Sequence, residues 1–145
     1  MTLAELQPDV ALAALLNEKV EVQTSATSKY AIRAYEQAKM PNKGLADEFL
    51  TVQSNGVVTS RTKPLGLFKS NLALTLYCKS NADGTAKTAR LKQMIGQCVE
   101  LVDRKSSQGF FFELDPTNVI TPPTVNLTTG YATTVINVAW RENDY

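Results

Sequence analysis

The apolar residues of this chain change their period across one short loop. From Leu72 to Cys78 they alternate, with Leu72, Leu74, Leu76 and Cys78 set against Ala73, Thr75, Tyr77 and Lys79. That is the pattern of a strand with one face in a core. Beyond Asn81-Ala82-Asp83-Gly84-Thr85 the period becomes helical: Leu91, Met94, Ile95, Cys98, Val99 and Val102 recur at three- and four-residue spacing, with Lys87, Arg90, Lys92, Gln93, Gln97 and Glu100 mainly off the stripe. Asp83 or Thr85 is placed to cap the helix. Such a helix lies across a sheet, where each large side chain buried contributes about 1.5–3 kcal/mol.

The flanking segments extend this unit. Residues 3 to 17 read as a helix on which Val10, Ala11, Leu15 and Leu16 share a face, and Pro8 either starts a turn or splits it. Val20 to Gln23 reads as a short strand. Ser25 to Met40 suits a helix through Tyr30, Ala34 and Ala38, or a strand through Tyr30, Ile32 and Ala34. Phe49 to Gln53 and Val57 to Ser60 flank Asn55-Gly56, the dipeptide of a type I′ hairpin turn. Gly109 opens a strand with Phe110, Phe112 and Leu114 on one side and Phe111 and Glu113 on the other. Asp115 to Thr129, with Pro116, Pro122 and Pro123, reads as an extended loop of a length that often carries function. Tyr131 to Trp140 is a last strand, with Thr134, Ile136, Val138 and Trp140 facing one way and Val135 and Ala139 the other. The order predicts one α+β domain over residues 1–145: a mostly antiparallel sheet with helices packed mainly on one face.

Composition narrows the function. Fifteen basic and fourteen acidic residues leave a formal charge of +1, without the excess that drives tight duplex binding. The chain has no histidine, which removes the commonest general base and the commonest zinc ligand. Cys78 and Cys98 form no CxxC pair and read as two small buried hydrophobes of a reducing compartment. No apolar stretch is long enough to span a bilayer, and the start has no basic region of a secretion signal, so Asn126-Leu127-Thr128 reads as a chance match to a glycosylation acceptor.

The polar residues give no catalytic set. Asp47, Glu48, Glu100, Asp103, Glu113 and Asp115 are scattered and read as solvated acids. Asn81 to Lys87 places a glycine and a lysine at a helix start but lacks the GxxxxGK[ST] spacing that wraps phosphate, so turn and cap is the plainer reading. Lys87, Arg90, Lys92, Arg104 and Lys105 form one basic stripe and Arg61, Lys63 and Lys69 a second cluster, with no interleaved aromatics to stack single strands. Phe111 lies under a helix or at a subunit contact. No cofactor, metal or catalytic residue is expected; a small histidine-free enzyme is the remote alternative.

Taken in order, EFLTVQSNGVVTS, KPLGLFKSNLALTLYCKSNADGTAKTARLKQMIGQCVELV and SQGFFFELDPTNVITPPTVNLTTGYATTVINVAW resemble tail-completion proteins, specifically tail terminators, of long-tailed bacteriophages. The resemblance runs from about Lys19 to Trp140. Its two characteristic phrases, PxGxxKGNLALTxYxK and TTGYSTTxxNVxW, stand here as Pro64 to Lys79 and Thr128 to Trp140, with Ser70 at a glycine position and Ala132 at a serine position. The resemblance implies a fold related to tail-tube and terminator subunits. It also implies a hexameric ring that caps the tail tube, contacts the tube protein and the neck connector, and passes DNA without reading its sequence. The expected location is the head–tail junction of the virion, after assembly in the host cytoplasm; a head-completion protein of the neck is the nearest alternative. A head-to-tail ring needs two complementary faces on each subunit. The candidate contact residues, chosen by loop length and charge, are Arg61, Lys63, Leu65, Phe68 and Lys69 in the first loop, Val119 and Val125 in the second (117 to 129), and Phe111 between them.

Overall fold

A computed structural model describes residues 8–23, 27, 29–36, 39–41, 43–54, 69–114 and 120–142, with the backbone alone described at Gln23, Tyr30, Lys69, Ser70, Asn71 and Glu142. In chain order the elements are α1 (Pro8–Leu16), β1 (Glu21–Gln23), β2 (Lys29–Ala31), β3 (Arg33–Glu36), β4 (Glu48–Ser54), β5 (Lys69–Lys79), α2 (Thr88–Val102), β6 (Lys105–Ser107), β7 (Phe110–Leu114), β8 (Thr124–Asn126) and β9 (Tyr131–Glu142). The main sheet runs β3-β4-β5-β9-β7-β6, with β8 paired to β9 beyond the end of β7. All of these pairings are antiparallel except β3 with β4. The result is the expected α+β domain: a mixed, mostly antiparallel, curled sheet with two helices on one face.

The period-two pattern places the core. Leu74 of β5 lies opposite Val52 of β4 on one side and Ile136 of β9 on the other; Leu76 lies opposite Leu50 and Thr134, and Phe112 opposite Trp140. These residues form a continuous buried face beneath α1 and α2. Helix α2 buries Leu91, Met94, Cys98 and Val102 of the expected stripe, whereas Ile95 and Val99 are half-buried. Helix α1 is described over Pro8–Leu16, within the expected 3 to 17; residues 3 to 7 lie outside the described residues. It buries Ala11, Leu12, Ala13 and Leu16, whereas Val10 and Leu15 are only half-buried, so the buried stripe is centred one residue away from the expected one. A helix apolar on most sides belongs inside a structure, and α1 is wrapped. It packs on β3 and β4 towards one edge of the sheet and on β6 and β7 towards the other. Two hydrogen bonds pin it: the Ala34 N–H donates to Asn17 Oδ1 at 3.0 Å, and the Ser107 hydroxyl donates to the Ala11 carbonyl at 2.9 Å.

Four expectations need correction or completion. Where it is described, Ser25 to Met40 forms strands β2 and β3 rather than a helix, because Ile32 between them is buried and donates its N–H to the Val20 carbonyl at 2.9 Å. Neither Asp83 nor Thr85 caps α2. Asp83 Oδ1 accepts from both the N–H (3.0 Å) and the hydroxyl (2.6 Å) of Thr85, which closes a turn before the helix begins; the N-cap is Lys87, which makes no side-chain cap. Gly109 does not open β7 but closes a two-residue turn: Gln108 and Gly109 have φ of 50° and 83°, and Ser107 pairs with Phe110. Positive φ at both positions is the mark of a type I′ turn, and it joins β7 to β6, a strand the polar run Lys105–Ser107 does not announce. Finally, the expected loop 115 to 129 contains β8. Ile120 bridges to Ile136, and the Thr121 N–H donates to the Val135 carbonyl at 2.9 Å, so the chain follows the edge of β9 despite its prolines. The Asn55-Gly56 turn and Val57 to Ser60 lie outside the described residues.

Candidate interaction surface

Strand alternation that sends one set of side chains to the helices sends the other set to the opposite face. There Phe49 of β4 stacks on Tyr77 of β5, with ring centroids 4.5 Å apart and planes 8° apart. Tyr35 of β3 and Tyr131 of β9 meet Phe49 edge-on at 6.2 and 5.4 Å. Phe49 is buried and the three tyrosines are half-buried around it. Such pairs contribute about 0.5–1.5 kcal/mol each beyond their buried area. The Tyr131 hydroxyl donates to the Ala46 carbonyl at 2.8 Å, tying the start of β9 to the approach to β4; burial, and after it the charges of Asp47 and Glu48, push its pKa up. Sequence reasoning missed this cluster. Its signal was the off-core position of an aromatic residue in each of four strands.

Phe111 lies on this same face, since Phe110 and Phe112 point into the core. It lies under neither of the two described helices, which pack on the other face. It is half-buried, and the Arg141 guanidinium covers its ring at 4.8 Å, across the Phe111–Arg141 register pair. Val125 sits at the centre of β8, half-buried against the core. Lys69 starts β5 opposite Trp140, just before a register shift. Arg61, Lys63, Leu65, Phe68 and Val119 lie outside the described residues. Of the eight candidates, only Lys69, Phe111 and Val125 are described, and they lie on three strands of the same sheet, β5, β7 and β8.

The second candidate loop carries a feature that its sequence alone did not rank. Leu127 is 84% exposed and Ile120 42%, and these are the exposed large hydrophobics among the described residues. Leu127 is held out by a compact turn. Asn126 Oδ1 accepts from the N–H groups of Thr128 (2.9 Å) and Thr129 (3.2 Å), the Gly130 N–H donates to the Asn126 carbonyl at 2.8 Å, and Gly130 takes φ of 79°. The Asn81–Thr85 turn lies alongside: the Ser80 N–H donates to the Gly130 carbonyl at 2.8 Å, and Ala82, Gly84, Val125 and Leu127 line a cavity of about 270 Å3.

The charged residues are arranged for structure. Glu48 was expected at the surface but is 1% exposed, because its place in β4 opposite Cys78 faces the core side. Arg90 of α2 reaches it and donates a hydrogen bond through Nη1, which draws one cation out of the expected basic stripe. Asp103 Oδ1 accepts from the Leu114 N–H at 3.2 Å. Cys78 and Cys98 are both buried free thiols in the elements expected for them; burial, aided at Cys78 by the Glu48 charge, pushes their pKa up to about 11 and about 12. Thiols so disposed stay protonated and unreactive. Among the described residues no three His, Cys, Asp or Glu side chains gather to hold a metal ion. No family model matches the chain, and neither does a curated protein or a solved structure.

Proposed function

We propose that this chain is a virion structural protein that caps the tail tube of a long-tailed bacteriophage as a ring, ends tube polymerisation and joins the tail to the neck. The observation that carries the reading is the ordered resemblance of Pro64 to Lys79 and Thr128 to Trp140 to the terminator phrases. Where they are described, these two phrases are β5 and β9, which pair from Leu72–Val138 to Lys79–Tyr131 at the centre of the sheet. A resemblance concentrated on paired central strands is a resemblance of scaffold. Leu127 and Ile120, both exposed within the second candidate loop, supply apolar contact area of the kind an interface uses. A closed hexameric ring of such subunits would contact tube protein on one side and connector on the other, with DNA passing through unread.

The test is electron microscopy of lysates from a phage whose copy of this gene is disrupted. The expected result is overlong tails without heads. Tails of normal length beside full, tailless heads would move the protein to the neck, and intact infectious particles would overturn the structural role.

A further inference from the structure

We draw no further inference here: the strongest candidate, the open cleft of about 540 Å3 at the N-terminus of α2 lined by Asn81, Lys87, Thr88, Arg90 and Gln93, is a helix end with cationic neighbours and holds no bound group or buried unpartnered side chain that points to a ligand.

Discussion

Arg90, in the first turn of α2, donates a hydrogen bond to the carboxylate of Glu48 on β4, with the Glu48 side chain 1% and the Arg90 side chain 26% exposed. The pair fixes where the helix lands on the sheet. Its two members are not equivalent, because only the guanidinium keeps access to water. Removing the cation leaves a carboxylate buried beside the Cys78 thiol, whereas removing the carboxylate lets the arginine turn outward. Arg90→Ala should therefore destabilise the fold by about 3 kcal/mol, at the lower end of what breaking a buried pair costs. Glu48→Gln, which keeps an acceptor, should cost less. Urea denaturation of the two variants measures both; a loss for Arg90→Ala within about 0.5 kcal/mol of zero, the scale of an ordinary surface change, would show the pair to be incidental.

The buried thiols give stability a definite dependence on pH. Burial raises the folded-state pKa of Cys78 from 9.0 to about 11 and that of Cys98 from 9.0 to about 12. Above pH 9 the unfolded chain has lost protons that the folded chain retains, so the unfolded state binds fewer protons and stability falls as pH rises. The contribution is fully present below pH 9.0 and is lost as pH climbs towards the folded values of about 11 and about 12. Denaturation midpoints between pH 8 and 11 should decline for the native sequence, and the decline should be shallower when both cysteines are replaced by alanine, whatever the replacements cost at neutral pH. Equal slopes would contradict the buried-thiol account.

Thr134 on β9 and Thr51 on β4 each bury a hydroxyl without a hydrogen-bond partner among the described residues. Valine has nearly the same shape and removes the desolvated oxygen. Thr134→Val should raise stability by about 1 kcal/mol, equivalent to about 3 °C in Tm for a chain of this size. A differential scan decides it, and a lower Tm would reveal a partner for the hydroxyl in the protein in solution.

Gln108 occupies the first central position of the β6–β7 turn with φ of 50°, a conformation that asparagine adopts more readily. Gln108→Asn should stabilise by about 0.5 kcal/mol, and Gly109→Ala, at φ of 83°, should destabilise by about 1 kcal/mol through strain, since no atom lies within 4 Å of the added Cβ. The opposing signs at adjacent positions are the useful readout. Two losses of equal size would mean that the turn is not type I′.

Leu127 is separable from the fold. At 84% exposure its replacement by serine should leave stability unchanged to within about 0.5 kcal/mol. If the loop is a contact of the assembled ring, Leu127→Ser should nonetheless reduce the yield of infectious particles when it is the sole copy supplied to a disrupted phage. Full complementation by a stably folded Leu127→Ser would remove this loop from the contact surface.

The long elements were legible because local side-chain periodicity and tertiary burial agree in them. Leu72 to Cys78, Leu91 to Val102 and Thr134 to Trp140 each show the period of the element they form, and each buries most of the residues that period selects, Ile95 and Val99 of α2 being half-buried. Short elements were not legible. Lys105–Ser107 is polar and three residues long, and becomes β6 only because the Gln108-Gly109 turn folds it against Phe110–Phe112. Thr124–Asn126 follows two prolines and becomes β8 only because Thr133, Ala132 and Tyr131 lie opposite it. As for the candidate surface, the second loop was located by its length, but the exposure of Leu127 depends on the Asn126 turn that holds it out.

Sequence alone determined the class of the domain, the buried faces of β5, α2 and β9, the placement of both cysteines in the core and the lack of any histidine-based chemistry. Tertiary structure decided that Glu48 is buried and paired while neighbouring Asp47 is exposed, that Tyr35, Phe49, Tyr77 and Tyr131 converge, and that both edges of the curled sheet close on α1. The division has a physical cause. The alternation of side chains along one strand is a property of its own backbone, written in consecutive residues. Which strands become neighbours, and so which side chains from distant segments share water or exclude it, is set by hydrogen bonds and packing between residues far apart in the chain, and no local pattern encodes those partners.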